Sequence, residues 1–251
     1  MVQTIISAAG SDGYLRGVRD VNSSERLLRY LKELEGSHSG FLGTAVATLN
    51  KFATLFHFLT LPKIALSSKA NLIPNESSKV ALLLPRSRFG QNVLVLDAAR
   101  ANCSGGTWRN IRKHLNGATT QGLTLRQIPP KEALASIDTF TKARRYSRSA
   151  QTVMRQYHLD DPESFLGYKV LDAKGSPVAL ACGFFAGEIF NLALSITLLR
   201  GEARWVAHEA IVRGVWARGV HYIRVSNFLA MEHGDCVFSE QLGYRHFNFT
   251  R

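Results

Sequence analysis

The chain has 251 residues, of which 45% are hydrophobic and 20% charged, and this composition is that of a globular protein. Its 31 Lys and Arg residues outnumber its 19 Asp and Glu residues, and the formal net charge of +12 favours an anionic partner: nucleic acid, an anionic membrane surface or a phosphorylated ligand. The three cysteines form no CxxC pair, so we predict neither a disulfide framework nor a metal site.

The first 66 residues contain one predicted helix and one apolar segment. The stretch MVQTIISAAGSDGYLRG lacks the basic start and the continuous apolar core of a secretory signal, so we expect a cytoplasmic protein. A capping box at Asn22-Ser-Ser-Glu25, followed by leucines at helical spacing, predicts a helix over about 22–35. Residues 40–66 are mostly apolar but have polar interruptions near the middle, which favours a buried or interfacial amphipathic helix over a spanning one. Peripheral membrane contact therefore stays open.

The following segment reads as strands around one helix. VALLL at 80–84, the turn-rich PRSRFGQN and VLVLD at 93–97 predict a β-hairpin. A helix is expected over about 106–115, ended by a glycine, and LTLRQI at 123–128 is typical of a strand.

A second half begins at Pro129 and Pro130. Its patterns predict, in order, a helix at 131–146, a three-stranded antiparallel meander with turns at 172–175 and 186–188, a helix at about 202–218, a strand VHYIRVSN, a short helix ending at Leu242–Gly243, and a final strand YRHFNF. Both halves follow one plan of hairpin, helix and strand, without a repeat in sequence.

The predicted helix at 106–115 carries two stripes side by side. The apolar stripe consists of Trp108, Ile111 and Leu115. The basic stripe carries Arg109, Arg112 and Lys113. At helical spacing one stripe packs the helix onto the protein and the other is available to a partner, although basic stripes are often only solvated faces. A second basic cluster lies at the end of the next predicted helix and just beyond it: Lys142, Arg144, Arg145 and Arg148.

The end of the chain resembles a known family. The order of meander, helix, strand, short helix and closing strand, with FSEQLGYRHFNF at 238–249, is similar to the GCN5-related N-acetyltransferase (GNAT) fold. The resemblance implies an α/β protein with a mixed, mostly antiparallel sheet flanked by helices. It allows a tandem GNAT arrangement, with a partial N-terminal half and helical N-terminal region over residues 1–128 and a catalytic half over 129–251. It also implies an acyl donor between the strands that flank the central helix, near backbone amides that stabilise an oxyanion.

One feature of the family is altered here. Its acetyltransferases bind the coenzyme A diphosphate on a loop of the form R/Q-x-x-G-x-G/A before the central helix. The corresponding run is Arg200-Gly-Glu-Ala-Arg-Trp, in which Ala203 and Trp205 replace small residues and Glu202 adds a negative charge. We therefore expect no cofactor, with acetyl-CoA as the weaker option.

The basic helix is similar to one in the aminoacyl-tRNA-dependent branch, the Fem and lysylphosphatidylglycerol synthase-like transferases. That helix has the form R-N-x-R-K-x-x-N-x-A, and TWRNIRKHLNGATTQGLTLRQI resembles it. The resemblance implies transfer of an aminoacyl group from aminoacyl-tRNA to an amine or hydroxyl acceptor: a small molecule, a peptide, a cell-wall precursor or a lipid. The implied RNA-binding residues are Arg109, Arg112, Lys113, Lys142, Arg144, Arg145, Arg148 and Arg204. Trp205 and Tyr157 are candidates for stacking on the terminal adenosine.

Two alternatives stay open: a coenzyme A-dependent N-acyltransferase, and a non-catalytic RNA-binding protein on a degenerate GNAT fold. Candidate catalytic residues on the GNAT-like half are His208, Glu188, Asn191 and Asn227. His208 shares a helix face with apolar residues, which is also typical of a buried core histidine. The other three have ordinary sheet and turn interpretations as well.

Overall fold

The computed structural model describes residues 61–66, 90–144, 163–198, 201–227 and 238–250. Their strands are β1 (Lys63–Ala65), β2 (Gln91–Val95), β3 (Thr124–Gln127), β4 (Phe165–Leu171), β5 (Pro177–Ala186), β6 (Ile189–Thr197), β7 (Tyr222–Asn227) and β8 (Arg245–Thr250). Their helices are α1 (Ala98–Ala101), α2 (Arg109–Thr120), α3 (Pro130–Arg144) and α4 (Ala203–Ala217), with a helical turn at 238–241. The elements predicted at 22–35 and 80–84 lie outside the described residues, as does most of the apolar segment at 40–66.

Two compact units divide the chain. The first comprises Met1–Leu66, Pro74–Leu94 and Ser226–Arg251, and the second comprises Ser67–Ile73 and Val95–Val225. The predicted GNAT-like halves, 1–128 and 129–251, stay a prediction.

The second unit contains the strand order β7-β6-β5-β4-β3. Neighbouring strands are antiparallel except β6 and β7, which are parallel. The meander β4–β6 forms where runs of mostly apolar residues are separated by turns. The first turn is closed by Asp172 Oδ1, which accepts from the N–H groups of Lys174 and Ser176. The predicted fold class, α/β with a mixed, mostly antiparallel sheet flanked by helices, is confirmed.

Helices cover both faces of these strands. Ile137 and Phe140 of α3 belong to a buried core cluster that includes Phe165 of β4 and side chains of β5 and β6. α4 packs against the other face, where a Cβ on Gly214 would lie 2.8 Å from Leu166 Cδ2. Because Leu166 and Phe165 alternate along β4, α3 and α4 lie on opposite faces.

In the first unit β8 lies between β1, to which it is parallel, and β2, to which it is antiparallel. Asn92 of β2 is the register partner of His246 of β8, and both are fully buried. Asn248 Oδ1 accepts a hydrogen bond from the Gly90 N–H at 3.0 Å. The core of this unit therefore includes polar side chains.

Two element boundaries differ from the predictions. α2 runs through Gly117 and ends before Gly122, whose φ of +66° suits a glycine after a helix. Gly117 stays helical because its missing side chain makes room for Glu202, whose Cγ would lie 3.3 Å from a Cβ there. The strand predicted to end at Asp97 ends at Val95, because Asp97 caps α1 by accepting from the Arg100 N–H at 2.6 Å.

The described end of the apolar segment at 40–66 is a strand that follows Pro62. Residues Lys63–Ala65 form β1, which pairs with β8 through main-chain hydrogen bonds. Within the part of the chain that the structure describes, no helix combines the length and the apolar character needed to cross a bilayer.

Candidate functional site

The parallel strands β6 and β7 diverge partway along their length. They pair only from Ile189 with Tyr222 to Asn191 with Arg224, whereas β6 stays paired with β5 as far as Thr197. Both strands are described throughout, and past this last rung no further register pair joins them. This divergence is where the resemblance places an acyl donor.

A β-bulge in β6 lies immediately after the last rung. Leu192 pairs with Gly183 and Leu194 pairs with Cys182, so Ala193 is the extra residue. Gly183 is essential to this path, because a Cβ there would lie 2.1 Å from the carbonyl oxygen of Asn191. The backbones of β5 and β6 are therefore closer at this point than a side chain at position 183 would allow.

Asn191 and Arg224 form a buried pair on the last rung. Asn191 is 3% exposed and Arg224 is 2% exposed, and Arg224 Nη1 donates to Asn191 Oδ1 at 3.1 Å. Asn191 was predicted as a site residue, but Arg224 was not. Alternation in the strand YIRVSN groups Arg224 with Tyr222 and Ser226, as for a solvent-facing cation, so its burial becomes apparent only from the pairing of β7 with β6.

Another candidate, His208, lies on α4 and is 1% exposed. Burial lowers its pKa, and the nearby Arg100 and Arg204 cations lower it further against the opposing effect of Glu209. A neutral imidazole therefore donates from Nδ1 to Glu209 Oε1, 3.2 Å away. This arrangement is that of a buried histidine with a hydrogen-bond partner, and its catalytic role stays a prediction.

The partner of His208 belongs to a buried ion pair that the sequence analysis missed. Arg100 donates two hydrogen bonds to Glu209, from Nη1 to Oε2 at 2.8 Å and from Nη2 to Oε1 at 2.6 Å. Burial alone would raise the pKa of Glu209, but the Arg100 hydrogen bonds and charge, with His208, lower it to about 2. The pair links α1 to α4, and the Arg100 guanidinium also lies 4.9 Å from the centroid of the Trp108 ring.

Cys103 completes this cluster without acting as a nucleophile. Its Sγ lies 3.2 Å from Glu209 Oε2. Burial and the neighbouring Glu209 charge raise the pKa of the thiol to about 11. Cys103 therefore stays protonated near neutral pH.

Of the remaining predicted catalytic residues, one lies in the turn before β6 and one at the end of β7. Glu188 is exposed in the turn between β5 and β6, about 10 Å along the strand from Asn191 at ~3.3 Å per residue. Asn227 is the last residue of β7, and its side chain is outside what the structure describes. Of the four predicted residues, Asn191 alone is placed at the divergence by its described side chain.

The basic stripe of α2 divides between two roles. Arg109 and Lys113 are exposed, whereas Arg112 is half-buried. Arg112 Nη1 donates to the carbonyl oxygens of Cys103 and, at 2.7 Å, Gly105. Arg112 thus stabilises the loop that precedes its own helix. The helical spacing of the basic residues did not predict this role.

Of the other predicted RNA-binding residues, only Arg204 has a described side chain. Lys142 and Arg144 are the last cations of α3, and their side chains are not described. Arg145 and Arg148 lie outside the described residues. Arg204 is half-buried in the first turn of α4. A shared RNA-binding surface that includes Arg109 and Lys113 stays a prediction.

Of the two residues predicted to stack on the terminal adenosine, the structure describes Trp205. Trp205 is 6% exposed, and its ring is stacked on His114 with centroids 4.2 Å apart and planes 8° apart. This face of the indole is therefore occupied by α2 and not open to a base. Tyr157 lies outside the described residues.

α2 packs across the first turn of α4. Gln121 Nε2 donates to Glu202 Oε2 at 2.7 Å, and His114 Nδ1 lies 3.8 Å from Glu202 Oε1. The hydrogen bond from Gln121 lowers the pKa of Glu202, with a smaller contribution from His114. A carboxylate and a helix thus lie at the start of α4, which is where the resemblance would place a coenzyme A diphosphate.

Comparison with known proteins shows similarity of fold. No family model matches the sequence, and a search of curated proteins finds no match. Among solved structures, a conserved protein of unknown function from Bacteroides thetaiotaomicron is similar with a TM-score of 0.51 and 16% identity, over 66% of this chain and 64% of that chain.

Two further structures are similar at lower scores. One is the C-terminal domain of a protein described as a lysylphosphatidylglycerol synthetase from Agrobacterium fabrum, with a TM-score of 0.44, 12% identity and coverage of 62% of this chain and 58% of that chain. The other is a tandem GNAT protein from the clavulanic acid biosynthesis pathway, with a TM-score of 0.43, 11% identity and coverage of 85% and 69%. The chain spans less than two thirds of the length of the first two structures. The order of meander, central helix, parallel strand and closing strand is the one that the resemblance to the GNAT fold predicted.

Proposed function

We propose that this chain is an acyltransferase that takes an aminoacyl group from aminoacyl-tRNA and transfers it to an amine or hydroxyl acceptor. A GNAT-like fold is the fold of acyltransferases, so the choice that needs support is the donor. The observation that carries it is the contact of α2 with the first turn of α4, where Gln121 and His114 engage the Glu202 carboxylate.

That contact opposes a coenzyme A donor. A diphosphate binds at a helix N-terminus because free N–H groups and the positive end of the helix dipole attract it. Here Glu202, the N-cap residue of α4, places a negative charge at that end, and α2 packs beside it. Two anions at the same helix start repel, so a donor that enters elsewhere is favoured.

The surface of α2 supports a polynucleotide donor. Arg109 and Lys113 are exposed on one side of the helix, while Ile111 is buried on another. The whole chain carries a net charge of +12, which attracts polyanions over a distance of about 8–10 Å at moderate salt. tRNA provides the phosphates for such contacts.

The reaction makes modest chemical demands. In aminoacyl-tRNA the amino acid is already activated as a ribose ester, so the acceptor nitrogen or oxygen attacks the acyl carbon and the ester C–O bond breaks. The proton lost by the acceptor ends on the ribose hydroxyl. Alignment of the two reactants supplies much of the rate, with effective molarities of roughly 10⁵ M or more.

The donor can be tested directly. Purified protein is incubated with tRNA charged with labelled amino acids, with and without each member of an acceptor panel: a short peptide, a cell-wall pentapeptide precursor, free amino acids and phosphatidylglycerol vesicles. We expect loss of the aminoacyl ester that depends on one acceptor, and no heat of binding with acetyl-CoA in calorimetry.

Two results would replace this proposal. Tight binding of acetyl-CoA with transfer of the acetyl group supports a coenzyme A-dependent N-acyltransferase. RNA binding that is the same for charged and uncharged tRNA, with no ester loss for any acceptor, supports a non-catalytic RNA-binding protein.

A further inference from the structure

The orientation of the Asn191 amide is determined by Arg224. Arg224 Nη1 donates to Asn191 Oδ1 at 3.1 Å. The reversed amide would set its own N–H groups against those of the guanidinium, which carries no acceptor. The carbonyl oxygen of the Asn191 amide thus accepts a hydrogen bond from Arg224, and the amide nitrogen Nδ2 is the donor that is left for another group.

Asn191 Nδ2 is buried and has no hydrogen-bond acceptor among the described residues. Asn191 is only 3% exposed, so bulk water does not compensate for this. A buried N–H without an acceptor is destabilising, and native structures retain few of them. Because the amide offers donors only, the missing group is a hydrogen-bond acceptor, such as a carbonyl oxygen.

The Asn191 amide lies at the end of the paired region of β6 and β7. Asn191 is on the last rung between β6 and β7, and the bulge at Ala193 follows it. Gly183 allows β5 to approach the Asn191 carbonyl oxygen, since a Cβ would lie 2.1 Å from it. Both the backbone and the side chain of Asn191 are therefore preorganised at the point where the strands diverge.

We propose that Asn191 Nδ2 donates a hydrogen bond to the carbonyl oxygen of the transferred acyl group, and that Arg224 is a positioning residue that orients and polarises the amide. This inference rests on the proposed function. As the acceptor bonds to the acyl carbon, negative charge moves onto the carbonyl oxygen; the ester C–O bond then breaks, and the ribose oxygen receives the acceptor's proton. A preorganised donor in a water-poor site stabilises that charge, and the Arg224 cation strengthens it.

Asn191→Asp is the sharpest variant. The aspartate keeps the size of the side chain and an oxygen for Arg224 but has no N–H to donate. We expect kcat for aminoacyl transfer to fall by about 10²–10³-fold with KM nearly unchanged. The matched control is Thr197→Val on the same strand, which removes a buried hydroxyl that donates to the Val178 carbonyl at 3.1 Å, and we expect it to keep the wild-type kcat.

The positioning role of Arg224 is tested by a cycle with Asn191. Arg224→Met and Asn191→Ala are expected to lower kcat by similar factors, and the double variant to lower it no further, because both act through one donor. Arg224→Lys, which keeps a cationic donor, is expected to restore part of the activity. Circular dichroism and thermal melting identify variants that fail to fold, and Asn191→Asp decides the question if Arg224→Met is among them.

The outcomes separate two failures. Wild-type protein that transfers no aminoacyl group to any acceptor overturns the proposed function and this inference with it. Active wild-type protein with an equally active, folded Asn191→Asp variant overturns the inference alone. Additive losses in the Asn191 and Arg224 cycle, or losses confined to KM, overturn the positioning role.

Discussion

Gly183 shows how a single residue determines the geometry of the divergence. It lies opposite Leu192 at the register shift between β5 and β6. A Cβ on Gly183 would lie only 2.1 Å from the carbonyl oxygen of Asn191. The contact is to backbone, which cannot rotate away as a flexible side chain can.

Gly183→Ala is therefore expected to destabilise the protein. β6 must shift to admit the methyl group, and such overpacking typically costs about 1–3 kcal/mol. The control is Gly106→Ala, where a Cβ has no neighbour within 4 Å and where we expect little change. Urea unfolding of both variants measures the difference, and equal midpoints for Gly183→Ala and the wild type would contradict this account.

At the scale of elements, the Arg100 and Glu209 pair attaches α1 to α4. Both side chains are nearly inaccessible, at 1% and 2% exposure. Removing one partner from a buried pair leaves the other charge without compensation, at a cost of about 3–5 kcal/mol.

Arg100→Met and Glu209→Leu are each expected to lower the free energy of unfolding by about that 3–5 kcal/mol. The double variant is expected to lose less than either single variant, because it leaves no uncompensated charge between these positions. Chemical denaturation of the four proteins measures the coupling. A double variant with the summed loss would show that the pair does not act as a unit.

The same pair predicts a dependence of stability on pH. Glu209 has a pKa lowered to about 2 from an ordinary 4.5, so its contribution is fully present above the ordinary value and is lost as the pH falls from there through 2. The difference in unfolding free energy between wild type and Arg100→Met is expected to shrink over that range. Urea unfolding at pH 7 and pH 3 tests this, and a constant difference would contradict it.

α2 is the element that should bind RNA, through the two cations exposed on it. Changing Arg109 and Lys113 to Ala is expected to reduce the slope of log affinity against log salt by about 1.4–1.8, since each phosphate contact contributes about 0.7–0.9. The control carries the same loss of charge elsewhere on exposed residues of the second unit, Arg126→Ala with Lys174→Ala. Equal slopes for the two double variants in filter-binding titrations would contradict a specific role for α2.

For the whole molecule, local periodicity was sufficient to locate most described elements. The meander β4–β6 and helix α4 were predicted nearly to the residue, because apolar runs between turn residues mark the strands and helical spacing marks the helix. The end of α2 was misplaced because Gly117 serves packing against Glu202 and not termination. A glycine within a helical pattern does not show which of these roles it has.

The candidate site was less accessible to sequence reasoning. Arg100 and Glu209 are separated by 109 positions, so nothing local connects them. The role of Arg112 as a brace and the stacking of Trp205 on His114 both depend on which faces meet in the fold. Asn191 was found through its place on a strand of the resembled fold, whereas its partner Arg224 required the register of β7.

The central claim is that an aminoacyl ester of tRNA is the donor, and product mass tests it most directly. tRNA charged with an isotopically labelled amino-acid mixture is incubated with the protein and the acceptor panel, and the acceptors are analysed by mass spectrometry. The account predicts one acceptor with the mass of one added aminoacyl residue, formed as the tRNA ester disappears. Ester loss no faster than in buffer, with every acceptor unmodified, would contradict it.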